Sequence, residues 1–240
     1  MHSPFVFQFI LHVLNNNSGY EAPVAVEALR SELLIDERLL DIEDLGAGSR
    51  VAARKQRTVR NLAKTAVKPK KYGQLLYRLV KHYQPQNIVE LGTSLGLTTA
   101  YLATANPDAN IVTIEGSEAV HRIAKDNFNT LHLQNIEALH GNFDTVLPQV
   151  MPTMDKIDLG FVDGNHRLKP TLAYFEQFLA KAHNDTILIF DDIHWSEEME
   201  QAWQQIQEHP RVLCSVDIFF LGFVFFRNEF KEKQHFAIRF

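Results

Sequence analysis

The chain has very little cysteine and no surplus of positive charge. Cys214 is the single cysteine among 240 residues, which excludes a disulfide framework and a thiolate-rich metal site. Lysine and arginine number 24 against 29 acidic residues, a formal net charge of -5. This balance argues against a general nucleic-acid-binding protein, because phosphate affinity comes mainly from clustered basic side chains.

Long apolar runs are also lacking. No stretch reaches the roughly 20 apolar residues that a membrane-spanning helix needs. Residues 1–14 have neither the charged start nor the small-residue cleavage site of a secretory signal. We therefore expect a cytoplasmic protein with no membrane partner. With 45% hydrophobic residues, the chain can form a sizeable core, as one large domain or as one domain with an appendage.

What the sequence does contain is a strand, a glycine turn and a helix start within residues 87–103, NIVELGTSLGLTTAYLA. Asn87–Leu91 predicts a short buried strand, and the residues after the turn predict a helix. Gly92 frees the backbone to turn sharply, and Gly96 lets a ligand or a facing strand approach closely. The first amides of the helix then point into a crevice beside Glu90, where a nucleotide-like ligand fits.

The glycine spacing distinguishes two such ligands. A dinucleotide fingerprint has the spacing G-x-G-x-x-G, whereas this chain has Gly92-x-x-x-Gly96. The Glu90 carboxylate would repel a pyrophosphate but suits the ammonium and hydroxyl groups of S-adenosylmethionine. The pattern favours S-adenosylmethionine, with an NAD-type oxidoreductase as the alternative, although short glycine turns often serve only to reverse the chain.

Residues 1–70 predict a small N-terminal helical appendage before a main domain of residues 71–240. Phe5–Leu14 and Val24–Leu40 carry helical patterns whose apolar faces need a partner. That partner is either the main domain or a second copy of the chain, so a homodimer through the N-terminal helices is one expectation.

Asp44–Ser49, DLGAGS, resembles a nucleotide-binding turn by its letters alone. It follows an acidic, helical-looking segment instead of a β-branched strand, which is the wrong context for such a turn. We interpret Gly46–Arg57 as a loop that leads into a basic amphipathic helix. The basic run is either a solvated face or a lid over an anionic group. The residues that would carry such a lid are Arg50, Arg54 and Lys55.

From residue 72 onward, strand and helix patterns alternate. They predict an α/β fold with a doubly wound, mostly parallel seven-stranded sheet. Val212–Phe219 and Phe223–Arg227 are two strands separated by three residues, too few for a parallel crossover, so they form a C-terminal antiparallel hairpin. The predicted helices are Tyr72–Tyr83, Ala119–Asn127, Asp144–Val150, Thr171–Ala182 and Glu197–Glu208.

Acidic residues end four of the predicted parallel strands, and these ends line one crevice. Glu115 follows the second strand, where a carboxylate can accept both hydroxyls of a ribose. Its alternative role is a cap before Ser117. Asp163, Asp191 and Asp192 would repel one another unless a cation lies among them, either a divalent ion such as Mg²⁺ or a substrate ammonium. A metal-bound and a metal-free cluster fit the sequence equally well.

Two histidines follow these acids by two or three residues. His166 follows Asp163, and His194 follows the Asp191-Asp192 pair. An imidazole near its ordinary pKa can take a proton from a substrate hydroxyl at neutral pH. Surface positions are the alternative, because the chain has 11 histidines. Further basic candidates in the same loop are Arg167 and Lys169.

Taken together, VELGTSLGLTTAYLA, Glu115, FVDGNHR, LIFDDIHW and the terminal hairpin resemble the S-adenosylmethionine-dependent methyltransferases of the Rossmann-like class I. Within that class the chain is most similar to the small-molecule O-methyltransferases of the catechol and caffeoyl-coenzyme A type, over roughly residues 72–227. The resemblance implies methyl transfer from S-adenosylmethionine to an oxygen of a small molecule. A protein that kept this fold and lost the chemistry is a further alternative.

The resemblance also implies roles for particular residues. Glu90 and Gly92 contact the methionine end of the cofactor, Glu115 binds the ribose, and Asn142-Phe143 flank the adenine. The full set of cofactor-binding residues that it implies is Gly73, Glu90, Gly92, Thr93, Ser94, Gly96, Glu115, Gly116, Asn142, Phe143 and Asp163. The metal-ligand positions that it implies are Asp163, Asp191 and Asp192.

This chain departs from the family pattern at two of these positions. The third metal ligand is commonly Asn where this chain has Asp192, which adds a negative charge. The catalytic lysine that some members carry after the fourth strand falls on His166 here. We therefore expect His166 and Asp163 to carry catalysis, with His166 as the general base and deprotonation that needs no metal as one of the options.

Overall fold

The computed structural model describes residues 3–16, 24–44 and 53–240. The strands are β1 Leu39–Asp44, β2 Ala53–Thr58, β3 Asn87–Leu91, β4 Asn110–Glu115, β5 Ile136–His140, β6 Ile157–Val162, β7 Ala182–Asp191, β8 Cys214–Asp217, β9 Leu221–Phe225 and β10 Gln234–Ala237. The α-helices are α1 Pro4–Phe9, α2 Val24–Leu33, α3 Val59–Thr65, α4 Lys70–Tyr83, α5 Leu97–Ala105, α6 Glu118–Thr130, α7 Phe143–Val150, α8 Leu168–Leu179 and α9 Glu197–Glu208. A π-helical segment, Ile10–Leu14, continues α1, and a 3₁₀ turn, Met151–Thr153, follows α7.

The main sheet has eight strands in the order β10-β8-β9-β7-β6-β3-β4-β5. Only β9 runs antiparallel to its neighbours, between β7 and β8. This arrangement confirms the predicted doubly wound α/β fold with its antiparallel C-terminal hairpin. The predicted count of seven strands omitted β10, which pairs parallel with β8 at the sheet edge.

Both faces of the sheet are covered by helices, so successive strand residues enter two different cores. One face packs against α1, α4 and α5, and its buried strand residues include Ile88, Ile111, Leu159, Phe161 and Ile189. The other packs against α7, α8 and α9, and its buried strand residues include Val89, Val112, Val162, Leu188 and Phe190. Burying each such side chain contributes about 1.5–3 kcal/mol, and the β-branched, apolar strands therefore form the centre of the domain.

The turn between β3 and α5 is held by backbone geometry that glycine alone satisfies easily. Gly92 has φ +102°, and a Cβ there would lie 1.9 Å from the carbonyl oxygen of Asp163. The amide of Asp163 in turn donates to the carbonyl of Leu91 at 2.8 Å. Gly96 has φ +79° and packs against the ring of Phe128. Gly92 thus lets the loop after β6 approach the turn closely. Gly96 lets the ring of Phe128, in helix α6, approach the turn in the same way.

The N-terminal helices cover the main domain of the same chain. Phe9 of α1 contacts Phe223 and Phe225 of β9, with ring centroids 5.3 and 5.4 Å apart. The buried residues of α2 are Val26, Leu29 and Leu33, and they share a core with Leu97 and Tyr101 of α5. The main domain of the same chain therefore buries these side chains. A homodimer and a domain boundary at residue 70 stay predictions.

The described residues between α2 and α3 do not follow the predicted helix and loop. The helix pattern through Leu40 was wrong, because α2 ends at Leu33. The loop predicted for Gly46–Arg57 was wrong over residues 53–57, which belong to β2 and pair antiparallel with β1. Charged residues alternate with Leu40 and Ile42 in β1, which suits a hairpin with one solvated face. Most of DLGAGS and Arg50 lie outside the described residues.

Among the described residues, no helix has both the length and the apolar character that a membrane span requires.

Candidate active site

A cavity of about 860 Å³ opens at the carboxyl edge of the parallel strands. The β3–α5 turn, the end of β4, the loop after β6 and the loop after β7 form its floor, and the segment between α3 and α4 covers one side. The predicted site residues that line it are Gly92, Ser94, Glu115, Gly116, Asn142, Phe143, Asp163, His166 and Asp192. This is the edge of a doubly wound sheet at which ligands normally bind.

Glu115 is fixed by two backbone amides at the end of β4. Its Oε2 accepts from the amide of Ser94 at 2.8 Å, and its Oε1 accepts from the amide of Ser117 at 2.9 Å. Burial raises the pKa of Glu115, while these amides and that of Gly116 oppose the rise. Each carboxylate oxygen has further acceptor capacity, so the cap and a ribose site are compatible roles for this side chain.

Ser117 offers a second polar group at the same end of the cavity. Its hydroxyl is buried, lines the cavity and has no hydrogen-bond partner. A buried polar atom without a partner costs free energy, and a bound ligand with a hydroxyl or ring nitrogen would satisfy it. Asn142, at the start of α7, instead accepts from the amide of Asp144 at 2.8 Å.

Glu90 lies beneath the cavity wall and does not line it. Its side chain is fully buried, and its Oε2 accepts from the hydroxyl of Thr113 at 2.7 Å and from that of Thr99. Its Oε1 has no hydrogen-bond partner. Burial raises the pKa of Glu90 to about 7, against the effect of the two hydroxyl groups. Glu90 therefore faces Thr99 and Thr113 and not the cavity, and its contact with the cofactor stays a prediction.

Asp163, Asp191 and Asp192 do come together, and we call them the acidic cluster. Asp191 is 1% exposed, and the side chain of Asp163 is 16% exposed. Burial raises the pKa of both groups. The charge of Asp163 raises the pKa of Asp191 further, and one carboxylate oxygen of each lies within 4.8 Å of the other. Two such groups in close contact favour sharing one proton, because like charges repel in a poorly solvated place.

Lys68 supplies a positive charge to this cluster. Its Nζ pairs with Oδ2 of Asp191 and lies 3.7 Å from Oδ1 of Asp192. Burial would lower the pKa of Lys68, but the carboxylates of Asp163, Asp191 and Asp192 outweigh burial and raise it. The lysine therefore remains an ammonium ion at neutral pH.

The N-terminal segment positions Lys68 through its backbone. Arg30 of α2 donates from Nη1 to the carbonyl of Lys68 at 2.9 Å, and its Nε pairs with Glu27 at 3.3 Å. Glu27 also accepts from the hydroxyl of Tyr101 in α5. Helix α2 thus connects residues 66–69, the segment between α3 and α4 that contains Lys68, to helix α5.

The two histidines have different surroundings. His166 lines the cavity, with Nε2 3.8 Å from Oδ1 of Asp163 and 4.0 Å from Oδ2 of Asp192. His194 pairs instead with Asp217 of β8, 2.8 Å from Nε2 to Oδ2, and is not among the lining residues. Arg167 and Lys169, the other basic candidates of the loop, are not among the lining residues either.

Aromatic side chains form the outer rim of the cavity. Trp195 is 74% exposed and Phe220 is 45% exposed, and both line the cavity. Tyr72 packs edge-on against Phe220, with ring centroids 5.7 Å apart. The rim is thus apolar, whereas the floor carries Asp163 and Asp192.

Several predicted cofactor residues lie behind the cavity wall. Gly73 packs against the ring of Tyr101, and the Thr93 hydroxyl bonds that of Thr113 at 2.6 Å. The predicted residues that do not line the cavity are Gly73, Glu90, Thr93, Gly96 and Asp191. Their cofactor-binding and metal-binding roles stay predictions.

Sequence reasoning missed Lys68 and the aromatic rim. Lys68 lies more than a hundred positions before Asp191 and Asp192, the acids that it contacts, and just after the basic run that ends at Lys64. A signal was present in the sequence, since three clustered acids require a cation. Nothing in the sequence indicates which of 24 basic residues supplies it.

Known proteins resemble this chain in both sequence and structure. Residues 89–193 match the family described as "Methyltransf_24: Methyltransferase domain". A catechol O-methyltransferase from Niastella koreensis is 27% identical over 124 residues, which cover 50% of this chain and 55% of that protein. The chain therefore spans about half the length of this curated relative. The predicted resemblance to methyltransferases is confirmed.

Solved structures show the same fold. An O-methyltransferase from Bacillus cereus in complex with SAH (S-adenosylhomocysteine) has a TM-score of 0.59 and 24% identity, covering 67% of this chain and 83% of that one. An SAH-bound methyltransferase from Podospora anserina has a TM-score of 0.67 and 14% identity, covering 95% and 97%. These likenesses confirm the predicted fold class.

The raised pKa of Glu90 predicts a dependence of stability on pH. The folded state holds this proton up to about pH 7, whereas an unfolded glutamate loses it near pH 4.3. The free energy of unfolding should therefore fall by about 3 kcal/mol between these pH values through this group. Glu90→Gln should remove that part of the fall, as measured by urea unfolding of the ligand-free protein at pH 5 and pH 8.

The control is Glu137→Gln on β5, where the side chain is exposed. It should keep the wild-type dependence. An unchanged pH dependence in Glu90→Gln would contradict the assignment.

Proposed function

We propose that the chain transfers a methyl group from S-adenosylmethionine to an oxygen of a small molecule. The match of residues 89–193 to the methyltransferase-domain family is the starting point of the proposal. The observation that carries the proposal is the meeting of the Gly92–Ser94 turn, the Glu115 carboxylate and the Asp163–His166 loop in one cavity. These groups match the amino-acid, ribose and methyl parts of that cofactor.

The polarity of the lining residues supports a cofactor placed with its ribose at Glu115 and its sulfonium near the acidic cluster. The Glu115 carboxylate keeps acceptor capacity for ribose hydroxyls beyond its two amide donors. Phe143 and the unpartnered Ser117 hydroxyl offer an apolar surface and a polar contact to the adenosine end. The acidic cluster attracts the positive charge of a sulfonium. A pyrophosphate would meet repulsion at the same place, which disfavours NAD.

The proposed reaction is a direct in-line displacement. A lone pair of the acceptor oxygen attacks the methyl carbon while the carbon–sulfur bond breaks, which gives a methyl ether and S-adenosylhomocysteine. His166 takes the hydroxyl proton, and the resulting imidazolium faces Asp163 and Asp192 at 3.8 and 4.0 Å. Proton removal and positioning are the main contributions of the chain.

The rim supports an acceptor with a flat, apolar body. Trp195 and Phe220, which are 74% and 45% exposed, present aromatic surface at the cavity mouth, whereas the side chains of His166 and Asp192 are only 27% and 24% exposed. A hydroxylated ring could place its ring against the rim and its hydroxyl near His166. The carboxylate floor would disfavour an acceptor whose anionic group has to reach it.

Isothermal titration calorimetry tests the cofactor. S-Adenosylhomocysteine should bind the wild-type protein, and NAD should give no saturable heat. Glu115→Gln should weaken S-adenosylhomocysteine by about tenfold or more, because the ribose loses one charged acceptor. The matched control is Glu118→Gln, three residues further along at an exposed position of α6, which should bind normally.

Two results would contradict the proposal. Binding of NAD without S-adenosylhomocysteine would indicate an oxidoreductase, and binding of neither would indicate a protein that lost the chemistry.

Turnover tests the base. A screen of metabolite extracts with a labelled methyl donor, run with and without chelator, first identifies the acceptor. His166→Gln should then lower kcat by about 10²–10⁴-fold with unchanged affinity for S-adenosylhomocysteine. His194→Gln removes an imidazole that faces Asp217 and should leave kcat within about twofold. Full activity of His166→Gln would exclude His166 as the base.

A further inference from the structure

The acidic cluster already contains a cation that belongs to the chain. We infer that the ammonium group of Lys68 takes the position that a divalent metal ion would occupy among Asp163, Asp191 and Asp192, so that this site works without a metal. The inference deepens the proposed function, and it rests on that function only in placing the acceptor hydroxyl at the cluster.

The contacts of Lys68 are those of a buried counter-ion. Its Nζ pairs directly with Oδ2 of Asp191, and Oδ1 of Asp192 lies 3.7 Å away. The Lys68 side chain is 14% exposed, and the Asp191 side chain is 0% exposed. A carboxylate so far removed from water needs a partner charge. Within the described part of the chain, Lys68 is the basic side chain that forms an ion pair with Asp191.

The donor atoms alone would suit a metal. One ligand atom each from Asp163, His166 and Asp191 lie within 4.8 Å of one another, and carboxylate oxygens are suitable ligands for hard divalent ions. The lysine changes this assessment, because a metal ion bound to Asp191 would lie beside an ammonium on the same carboxylate. Two cations at that distance in a poorly solvated place repel strongly. The cluster with Lys68 in place therefore does not fit a divalent ion.

Lys68 is also held where it is. Its carbonyl accepts from Arg30 at 2.9 Å, and Pro69, which follows, has a restricted φ. Arg30 is 13% exposed and pairs with Glu27. A metal ion would have to displace a side chain whose backbone is anchored on both sides, so loss of the lysine should be needed before a metal can bind.

An ammonium group in place of a metal ion changes which methyl acceptors the site can bind. A metal ion coordinates several oxygens at once and can chelate two neighbouring hydroxyl groups. An ammonium carries one charge and three donors, and the ion pair with Asp191 leaves two of them. One such donor is enough to orient an acceptor oxygen, without the two neighbouring oxygens that chelation uses. The site therefore suits acceptors with a single hydroxyl and does not require a vicinal diol.

Manganese binding tests the inference without any turnover. Mn²⁺ is titrated into the wild-type protein, Lys68→Ala and Lys70→Ala, and bound ion is measured by electron paramagnetic resonance and calorimetry. Lys70 lies two residues further on and pairs with Glu27 at 3.8 Å, so its variant controls for the lost charge. Lys68→Ala should bind Mn²⁺ about tenfold or more tightly than the other two proteins.

A double variant addresses the case in which Lys68→Ala fails to fold with its carboxylates uncompensated. Lys68→Ala with Asp192→Asn removes one positive and one negative charge, so the cluster keeps the net charge that it has in the wild type. It should fold, bind Mn²⁺ and gain thermal stability from it. Lys68→Arg keeps the cation and should exclude Mn²⁺ as the wild type does.

Wild-type protein that binds Mn²⁺ as tightly as Lys68→Ala would overturn the inference. Lack of Mn²⁺ binding in both Lys68→Ala and the double variant would overturn it as well. Neither result touches methyl transfer, because no acceptor or methyl donor is present. Failure of the proposed function would conversely appear in the titration with S-adenosylhomocysteine and leave the Mn²⁺ comparison valid.

Discussion

Repulsion among the acidic residues at one sheet edge is the constraint on which the site depends. Parallel strands bring their carboxyl ends together, and here β6 and β7 end in Asp163, Asp191 and Asp192. Burial makes such an arrangement costly unless positive charge lies nearby. Lys68 meets part of this requirement, and the sulfonium of the proposed cofactor would add a second positive charge. The charge balance thus connects the N-terminal segment to the proposed chemistry.

Backbone contacts hold the same region in place. The carbonyl of Asp163 approaches Gly92 more closely than a Cβ would allow, and the amide of Asp192 donates to the carbonyl of Phe220 at 2.8 Å. The acids are therefore tied to the glycine turn on one side and to the terminal hairpin on the other. Arg30 of α2 holds the backbone of Lys68, so elements that are distant in sequence together position the charged groups of the site.

The sequence predicts the elements in which local pattern and tertiary environment agree. The apolar strands β3, β4, β6 and β7 are buried on both faces, so their composition alone indicates them. The hairpin β1–β2 and the edge strand β10 were missed because charged and polar strands at solvated edges have little apolar signal. Helix α8 begins at Leu168, three residues before the predicted start at Thr171.

Some residues of the candidate site could likewise be predicted from the sequence, and others could not. Positions set by the turn and the strand ends, such as Glu115 and Asp163, could be placed at the crevice from sequence because parallel strands share one carboxyl edge. Lys68 could not, since its position depends on how the N-terminal segment folds over the domain. His194 could not be separated from His166 either, because the direction of each imidazole is set by Asp217 and by the loop after β6.

A crystal structure of the protein grown with S-adenosylhomocysteine and Mn²⁺ tests the central claim most directly. We expect the ribose hydroxyls within hydrogen-bonding distance of Glu115, the sulfur facing His166, and the Nζ of Lys68 still paired with Asp191. A ligand bound outside this cavity, or a manganese ion among the acidic cluster with Lys68 displaced, would contradict the account.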